Sequence, residues 1–389
     1  MAAGGGGGDA SEKREVRSER ADGRGGGGVR RLLIAGGGTG GHLMPALAIA
    51  QAVRELDPGI EPVLVGARRG VEAQVLPTRD FRYHLLPAEP LYRRQWWKNL
   101  RWPWLAVGLL REVRRLYAEE RPVAVLGTGG YAAGPVVYWG ARAGLPTAVQ
   151  EQNAYPGVAT RLLARRARHV YLGLPEARAL LRVGPRTEVF DTGNPIPPPT
   201  PERREAARTR FGLAGAAPVV LVTGGSQGAL ALNRAVAAWL DSGSRPGVVL
   251  WVTGRGTYAR FAGYHRPPEV QVIDFLDPMA DGYAVADLVV SRAGMITVAE
   301  LCAWGLPSIL VPLPTAAADH QTRNARVLSE AGAALLLPEV ELSAERLAVE
   351  VGGLLGNQDR RRTMTDAARR RGRPHASRDI ASKLLTLVG

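Results

Sequence analysis

The chain has 389 residues, of which 46% are hydrophobic and 22% are charged, so a wholly disordered chain is excluded and two domains are expected. Its single cysteine, Cys302, excludes an internal disulfide and a cysteine metal cluster, and it suits a reducing compartment. The longest apolar stretch, Trp102 to Leu110, is shorter than the ~20 residues that span a bilayer, and the N-terminus lacks the apolar core of a signal peptide. We therefore expect a cytosolic protein that neither crosses a membrane nor is exported.

The formal net charge is +14, and all of the excess lies beyond residue 28, because residues 1–28 contain five acidic and five basic side chains. Only three of the 50 basic residues are lysines, so nearly all of the positive charge is arginine. Such a surface favours an anionic partner, which is nucleic acid, anionic lipid or a phosphorylated substrate. Charge alone does not choose among the three.

Residues 1–28 are glycine-rich and lack apolar periodicity, which predicts a disordered tail. Short apolar strands then alternate with glycine-rich turns and helices, a pattern typical of a parallel α/β sheet. A helix through Ala46 to Val53 follows the first strand. The predicted strands of this first domain, residues 29–193, are Val29–Ala35, Pro62–Val65, Val123–Leu126 and Thr147–Gln150.

The proline-rich segment Asn194–Pro201 predicts a stiff linker, which we assign to residues 194–217. The pattern of strand, turn and helix then restarts, which predicts a second α/β domain of similar size over residues 218–358. Residues 359–389 are predicted to be helical with an arginine-rich face, and packing back on the first domain is one arrangement for them. The predicted strands of the second domain are Val219–Thr223, Val248–Thr253, Val270–Phe275, Leu288–Ser291 and Ser308–Val311.

The turn from Gly36 to Gly41 matches the dinucleotide pattern G-x-G-x-x-G between a strand and a helix. The acid that would hold a ribose is missing at the end of the second strand, so an NADP-type site using Arg68 is the remaining dinucleotide alternative. Otherwise, bare backbone lets a different ligand approach, with the helix N-terminus facing an oxyanion. His42, at the mouth of the turn, is either a general base acting on a hydroxyl or a capping and packing residue.

Two further turns follow strands in the second domain. The segment Gly224–Gly228 repeats the first arrangement but lacks the Gly-Lys-Ser/Thr of a P-loop, so ATP hydrolysis is not expected. The segment Ser291–Gly294 precedes a helix predicted to begin near Ile296, whose free N–H groups and dipole suit a phosphate. Glu300 is then either the acceptor of two hydrogen bonds from a ribose diol or an ordinary acid near a helix start capped by Thr297.

The polar cluster Asp319–Asn324 follows a strand at the predicted carboxyl edge of a sheet, where open α/β folds bind ligands. Its amide and acid side chains suit the hydroxyl groups of a sugar. The chain contains no Asp-x-Asp, and its histidines and cysteine have no metal-ligand spacing. We therefore expect no dedicated metal site and no required cofactor.

Residues 92–105 contain four of the eight tryptophans and four basic residues, next to an apolar helix. This composition is typical of an interfacial membrane anchor, which we take as the prediction. Binding of single-stranded nucleic acid and burial of some tryptophans in the core are the alternatives. The predicted membrane patch consists of Arg93, Arg94, Trp96, Trp97, Lys98, Arg101, Trp102 and Trp104.

Taken together, these motifs closely resemble those of the MurG family, the bacterial glycosyltransferases that convert lipid I to lipid II. The resemblance runs from about Val29 to the C-terminus in the family's order and spacing, so the combined match is specific although each motif alone is weak. The matching motifs are Gly36–His42 with Pro45, Gly129–Tyr131 with Gly134-Pro135, Glu151–Asn153, Gly193–Pro195, Gly224–Ala229, Ser291–Gly294 with Thr297 and Glu300, and Asp319–Gln321 with Asn324.

The resemblance implies a GT-B fold, two Rossmann-like parallel-sheet domains facing a cleft, with UDP-GlcNAc bound mainly by the second domain. It places the ribose at Glu300, the diphosphate at the helix start of Ile296–Thr297, and the GlcNAc hydroxyls at Gln321. Where the family often has Gly-Asn-Pro-x-Arg, this chain has Pro197, so that arginine's contact is in doubt. The implied UDP-GlcNAc contacts are Thr39, Gly40, Gly41, Asn153, Ser226, Leu276 (through its backbone to the uracil), Met295, Ile296, Thr297, Val298, Ala299, Glu300 and Gln321.

The implied reaction is inverting transfer of GlcNAc to the 4-hydroxyl of MurNAc on undecaprenyl diphosphate, in peptidoglycan synthesis and hence cell-wall biogenesis, cell shape and division. His42 is the candidate base, and the departing UDP would be stabilised by amides without metal. The implied partners are UDP-GlcNAc, lipid I and the anionic lipids of the inner leaflet, with no nucleic acid, at the cytoplasmic face of the membrane. The glycine loops that would bind the acceptor diphosphate contain Gly36, Gly37, Gly38, Gly129, Gly130 and Tyr131.

Two other functions are the alternatives. Another GT-B lipid glycosyltransferase, such as a diacylglycerol glycosyltransferase, would share the fold and the membrane patch. A nucleic-acid-binding protein would explain the charge and the tryptophan–arginine stretch, but not the ordered glycine motifs.

Overall fold

The computed structural model describes residues 29–38, 40–90, 96–213, 215, 217–225, 228–243 and 246–388, and for residues 96, 98 and 99 it describes the backbone only. The predicted tail, residues 1–28, lies outside the described residues. Within the described part of the chain, no helix is both long and apolar enough to cross a bilayer.

The first domain is a parallel sheet of seven strands with helices on both faces. Leu32 to Ala35 are fully buried, because a central parallel strand is covered on both sides. The strands are β1 (Arg30–Gly37), β2 (Ile60–Ala67), β3 (Arg82–Leu86), β4 (Ala124–Gly129), β5 (Thr147–Glu151), β6 (His169–Leu172) and β7 (Glu188–Phe190). The helices are α1 (Gly40–Leu56), α2 (Glu72–Val75), α3 (Trp102–Glu120), α4 (Gly130–Arg142) and α5 (Val158–Leu163).

The second domain is a parallel sheet of six strands, also covered on both faces. Its strands are β8 (Val219–Thr223), β9 (Val248–Val252), β10 (Val270–Ile273), β11 (Leu288–Ser291), β12 (Ser308–Leu310) and β13 (Leu335–Leu336). Its helices, in chain order, are α6 (Arg204–Arg210), α7 (Leu230–Asp241), α8 (Tyr258–Phe261), α9 (Met279–Val285), α10 (Met295–Trp304), α11 (His320–Glu330), α12 (Ala344–Leu355) and α13 (Gln358–Arg371).

The strand orders put the same topological feature at the centre of both sheets. They are β3-β2-β1-β4-β5-β6-β7 and β10-β9-β8-β11-β12-β13, so the order reverses between β1 and β4 in one sheet and between β8 and β11 in the other. Open α/β sheets bind ligands at such a reversal, beyond the carboxyl ends of the strands. The predicted glycine turns lie at the carboxyl ends of three of these four strands, and Gly127 to Gly130 lie at the carboxyl end of the fourth, β4.

The chain ends on helices that pack on different domains. Helix α13 buries Ala367 and Ala368 in the core of the second domain. The last helix, α14 (Ala376–Leu385), buries Ile380, Ala381 and Leu384 in the first domain, against the face of the sheet that α1 also covers. Residues 372–375 separate the two helices, so the single predicted helical segment is in fact two.

The linker is shorter than predicted. Residues 201–203 form a 3-10 turn and α6 follows directly, with Ala207 and Phe211 buried in the core of the second domain. Arg203 and Arg210 both pair with the buried carboxylate of Asp281, at 2.7 and 2.5 Å. The predicted linker over 194–217 is therefore wrong in its second half, because an amphipathic helix there buries apolar side chains that the proline-rich composition upstream does not foreshadow.

Candidate active site

The glycine turn after β1 and the glycine turn at the end of β4 pack directly on each other. A Cβ added to Gly36 would lie 1.9 Å from Oγ1 of Thr128, and one added to Gly130 would lie 1.7 Å from the carbonyl oxygen of Gly37. Gly130 also has a φ of +80°, a conformation that other residues adopt only at a cost. Glycine is required at Gly130 because its backbone approaches that of Gly37, and at Gly36 because the Thr128 side chain fills the space, whatever ligand the turns then bind.

Glu72 is a site residue that the sequence did not indicate. Its side chain is fully buried, and its carboxylate accepts a hydrogen bond from the Gly38 amide at 2.5 Å. Burial raises the pKa of this carboxyl. A dinucleotide site would have an acid for the ribose at the end of the second strand. This chain instead has Glu72 a few residues later, and its carboxylate holds the first glycine turn. Its neighbours Gly66 and Gly70 leave the room for it.

His42 lies in the first turn of α1, with its ring against Gly129. A Cβ at Gly129 would lie 2.6 Å from Cδ2 of this ring, so the glycine is what admits the imidazole. The hydroxyl of Thr128 donates to the carbonyl oxygen of His42 at 2.9 Å. Burial, together with the nearby His320, lowers the pKa of His42 to about 4. The imidazole is therefore neutral at pH 7 and able to accept a proton.

The two domains are joined by hydrogen bonds between α11 and the segment after β5. Asn324, fully buried on α11, accepts from the backbone amide of Ala154 at 3.0 Å and donates to Oδ1 of Asn153 at 3.1 Å. Glu151 in turn accepts from the amide of Asn153. The motifs Glu151–Asn153 and Asp319–Asn324 are therefore in direct contact across the cleft, and Asn153 lies at the contact.

One side of the Gln321 amide is bonded, and the other has no partner among the described residues. Its Oε1 accepts from the backbone amide of Leu313 at 3.0 Å, which orients the side chain and leaves the amide NH2 as a donor. His320 is similarly held, since its Nδ1 lies 2.7 Å from the carbonyl oxygen of Ala317. Both side chains are half-buried on the second domain's side of the cleft.

Helix α10 begins with open amides. Its N-cap is Gly294, which supplies no side-chain cap, and the first amide bonded within the helix turn is that of Val298, to the carbonyl oxygen of Gly294. Thr297 lies inside the first turn and is not the cap. A Cβ at Gly294 would meet nothing within 4 Å, so the space in front of the helix is open. Uncapped amides at a helix N-terminus form an anion site.

Glu300 lies one turn further along α10 and receives a hydrogen bond from the hydroxyl of the buried Tyr283 at 2.8 Å. Burial raises the pKa of Glu300 to about 7, although the Tyr283 bond opposes that rise. The Tyr283 bond uses one lone pair of Oε2, so the carboxyl group keeps further acceptor capacity.

Comparisons with known proteins identify the family of this chain. The profiles of the glycosyltransferase family 28 N-terminal and C-terminal domains match residues 32–172 and 219–383. A protein of Salinibacter ruber named UDP-N-acetylglucosamine--N-acetylmuramyl-(pentapeptide) pyrophosphoryl-undecaprenol N-acetylglucosamine transferase is 42% identical over 355 residues, 90% of this chain and 95% of its own length. A protein of the same name from Limosilactobacillus fermentum is 35% identical over 353 residues, 89% of this chain and 95% of its own length. The crystal structure of Acinetobacter baumannii MurG is 25% identical with a TM-score of 0.73, and the match covers 92% of this chain and 99% of that one.

This chain belongs to the MurG family. It is a glycosyltransferase with the GT-B fold, as the sequence predicted, and its two Rossmann-like domains meet at the cleft described above.

The structure gathers most of the predicted donor residues of this MurG-family enzyme along the cleft side of the second domain. The side chains of Leu276, Met295 and Val298 are instead buried in the core of that domain. The proposed role of Leu276 uses only the backbone. Arg68, the alternative NADP residue, instead pairs with Glu112 at 3.5 Å and donates to the carbonyl oxygen of Leu85. Thr39 and Ser226 lie outside the described residues.

The predicted membrane patch is only partly exposed. Trp104 is 82% exposed and Trp97 is 54% exposed, whereas Trp102 is half-buried and therefore contributes less surface than predicted. Arg101 pairs with Glu89 at 3.0 Å. Val107 and Leu110 of α3 extend the exposed apolar surface that Trp104 begins. Arg93, Arg94 and the side chains of Trp96 and Lys98 lie outside the described residues.

One group of side chains among the described residues has the spacing of metal ligands, namely His84, Glu119 and Glu120. Arg82 pairs with both glutamates, and Arg31 lies 3.4 Å from Glu120, so cations already occupy this cluster. It lies at the end of α3, away from the glycine turns.

Replacing Gly130 by alanine is expected to destabilise the fold by about 3 kcal/mol and to abolish transfer, because the new Cβ overlaps the Gly37 carbonyl at a positive φ. Chemical denaturation and a transferase assay measure the two effects. Gly353→Ala on α12 is the matched control, since a Cβ there meets nothing within 4 Å and the residue lies outside the proposed substrate sites. Equal stability of Gly130→Ala and wild type would contradict this account of the turns.

Proposed function

We propose that this enzyme transfers GlcNAc from UDP-GlcNAc to the 4-hydroxyl of MurNAc in undecaprenyl-diphospho-MurNAc-pentapeptide, the conversion of lipid I to lipid II. The observation that carries the proposal is the conjunction of a neutral histidine at the first glycine turn and an open helix start across the cleft, in a chain 42% identical to a protein named for this reaction. Peptidoglycan synthesis, and through it cell shape and division, is the process the enzyme serves.

The donor binds to the second domain. The first-turn amides of α10, from Met295 to Thr297, receive the diphosphate, and Glu300 accepts hydrogen bonds from the ribose. The free amide NH2 of Gln321 donates to a GlcNAc hydroxyl. The backbone at Leu276 receives the uracil. Gly40, Gly41 and Asn153 complete the donor site from the first domain, with Thr39 and Ser226 as further contacts, and Val298 and Ala299 line the helix start.

The acceptor binds to the first domain with its diphosphate at the glycine turns, Gly36–Gly38 and Gly129–Tyr131. His42 takes the proton of the 4-hydroxyl as its oxygen forms the bond to C1 of GlcNAc. The bond from C1 to the β-phosphate oxygen breaks at the same time, and its electron pair leaves with UDP. Attack from the face opposite the leaving group inverts the configuration at C1 and gives a β-1,4 linkage.

No metal is required for the departure of UDP. The growing negative charge falls on a phosphate that the α10 amides and the helix dipole already face, and these dipoles need no reorganisation during the reaction. Transfer of labelled GlcNAc to a lipid I analogue in EDTA tests the proposal. Product from lipid I analogue but not from diacylglycerol supports it. Product from diacylglycerol alone makes the enzyme a different lipid glycosyltransferase.

The enzyme lies at the cytoplasmic face of the membrane, held by the exposed apolar side chains of α3 and the basic residues around them. Its acceptor is embedded there by its undecaprenyl chain. Tryptophan and aliphatic side chains beside arginine suit the boundary between headgroups and acyl chains of an anionic leaflet. Retention on single-stranded DNA with no binding of vesicles would instead support a nucleic-acid partner.

The double variant Trp104→Ser, Val107→Ser is expected to bind phosphatidylglycerol vesicles about tenfold more weakly than wild type, because it removes exposed apolar area that would enter the interface. Vesicle flotation measures the effect. Val349→Ser, an equally simple change at an exposed valine of α12 in the second domain, is the control and should bind as wild type does. Unchanged flotation of the α3 variant would remove this surface from the proposal.

A further inference from the structure

A cavity of about 450 Å³ opens in the first domain at the edge of the sheet opposite to the cleft. Pro146, Arg168 and Thr187 line it, and they stand just before or at the first residues of β5, β6 and β7. The glycine turns lie beyond the carboxyl ends of the parallel strands, so the length of the sheet separates this cavity from the proposed catalytic site.

Four arginines line the cavity, and none of the residues lining it is acidic. The guanidinium groups of Arg165, Arg168 and Arg186 have no ion-pair or hydrogen-bond partner in the part of the chain that the structure describes, and Arg166 contacts only the ring of Tyr138, at 5.7 Å. All four arginines are exposed, and none of them has a carboxylate partner among the described residues, whereas Arg203 and Arg210 both pair with Asp281. Four like charges around one cavity repel each other unless an anion lies between them.

Helix ends account for only a small part of this charge. Helix α4 ends at Arg142 and α5 at Leu163, both beside the cavity, and a helix C-terminus carries roughly −0.5 of a charge. Two such ends offset about one of the four positive charges. About three remain at a concave site, which is more than the capping of helices requires.

The chemistry of the lining favours phosphate. Guanidinium groups bind phosphate through two parallel hydrogen bonds. The neutral hydroxyl at the site, that of Thr187, is already bonded to the amide of Gly184 and the carbonyl of Ala167. The arginines are therefore the donors that a ligand meets, and the volume fits one or two phosphate groups. We propose that this cavity, lined by Arg165, Arg166, Arg168 and Arg186, is a binding site for a phosphate-bearing anion outside the catalytic cleft.

Equilibrium dialysis with labelled inorganic diphosphate tests the site, with saturating UDP present to fill the donor site. The triple variant Arg165→Gln, Arg168→Gln, Arg186→Gln is expected to lose one equivalent of bound diphosphate relative to wild type. The control Arg360→Gln, Arg362→Gln, Arg370→Gln removes the same charge from exposed arginines of α13 and should keep that equivalent. Equal stoichiometry in wild type and the cavity variant, or an equal loss in the control, would overturn the proposal.

Vesicle flotation then distinguishes the source of the phosphate. If the cavity variant loses diphosphate and also binds phosphatidylglycerol vesicles more weakly than the control does, the site takes a phospholipid headgroup. If only diphosphate binding is lost, the site takes a soluble phosphate compound. Transferase activity in detergent should equal that of wild type in both variants, which shows that each has folded.

Discussion

Replacing His42 by alanine is expected to lower kcat for GlcNAc transfer by roughly 10²–10⁴-fold, the usual contribution of a general base. The fold should survive, because the ring occupies space that Gly129 leaves open and its removal strains no backbone. The KM for UDP-GlcNAc should change little, since none of the proposed donor contacts uses the His42 side chain. Initial rates with labelled UDP-GlcNAc and a lipid I analogue measure the effect.

The pH dependence supplies a second readout of the same group. With a pKa of about 4, His42 is deprotonated in the free enzyme at pH 7, so the acid limb that it causes in kcat/KM should lie near pH 4. His320→Ala removes one of the two causes that lower this pKa, so the limb should move to higher pH while activity at pH 8 is retained. A fall in kcat of less than threefold in His42→Ala would assign the base to another group.

His42 also affects stability with pH. Its pKa in the folded chain lies below the ordinary histidine value of 6.5, so its contribution to stability is present above about pH 6.5 and is lost as the pH falls through about 4. Assays of the acid limb therefore need a parallel measurement of folding, such as far-UV circular dichroism at each pH.

The sequence predicted the strands that are buried on both faces. Val219–Thr223 and Leu288–Ser291 have the predicted bounds, because a central parallel strand is a run of β-branched and aliphatic residues with a glycine turn after it. The strands it missed are short or at the edges of the sheets. Residues 82–84 of β3 are Arg-Tyr-His, and β7 and β13 have three and two residues, so tertiary pairing rather than local pattern makes them strands.

The sequence indicated those parts of the candidate site that lie within one short motif, such as the glycine turns and the start of α10. Contacts between distant residues were not. Glu72 bonds the amide of Gly38 across 34 positions, and Asn324 bonds Ala154 across 170. No local pattern encodes such pairs, because each depends on which strands the fold places side by side. The sequence did identify the glycines, but it explained them by the close approach of a ligand. The structure shows a second reason, which is the backbone contact between Gly37 and Gly130.

The affinity for UDP-GlcNAc is expected to increase as the pH rises through about 7, because the ribose is held by the ionised form of Glu300. UDP-GlcNAc is the ligand to use, since its diphosphate is a diester and its charge does not change over this range. Glu300→Gln should weaken binding by about 10–100-fold, the loss expected for hydrogen bonds to a charged group, and should abolish the pH dependence. Calorimetric titrations from pH 6 to pH 8.5 measure both.

Tyr283→Phe gives the more discriminating test, because the phenol touches Glu300 and not the ligand. The hydroxyl favours the ionised carboxylate, so its removal should raise the pKa of Glu300 and move the midpoint of the binding curve to higher pH, with affinity at pH 8.5 nearly restored. The pKa of Glu300 is already higher in the folded chain than the ordinary glutamate value of 4.5, so its contribution to stability is full below about pH 4.5 and is lost as the pH rises through about 7. Folding and binding therefore depend on pH in opposite directions at this one carboxyl, which is the behaviour of a group kept for ligand recognition at a cost in stability. A midpoint that stays in place in Tyr283→Phe would mean that another group controls donor affinity.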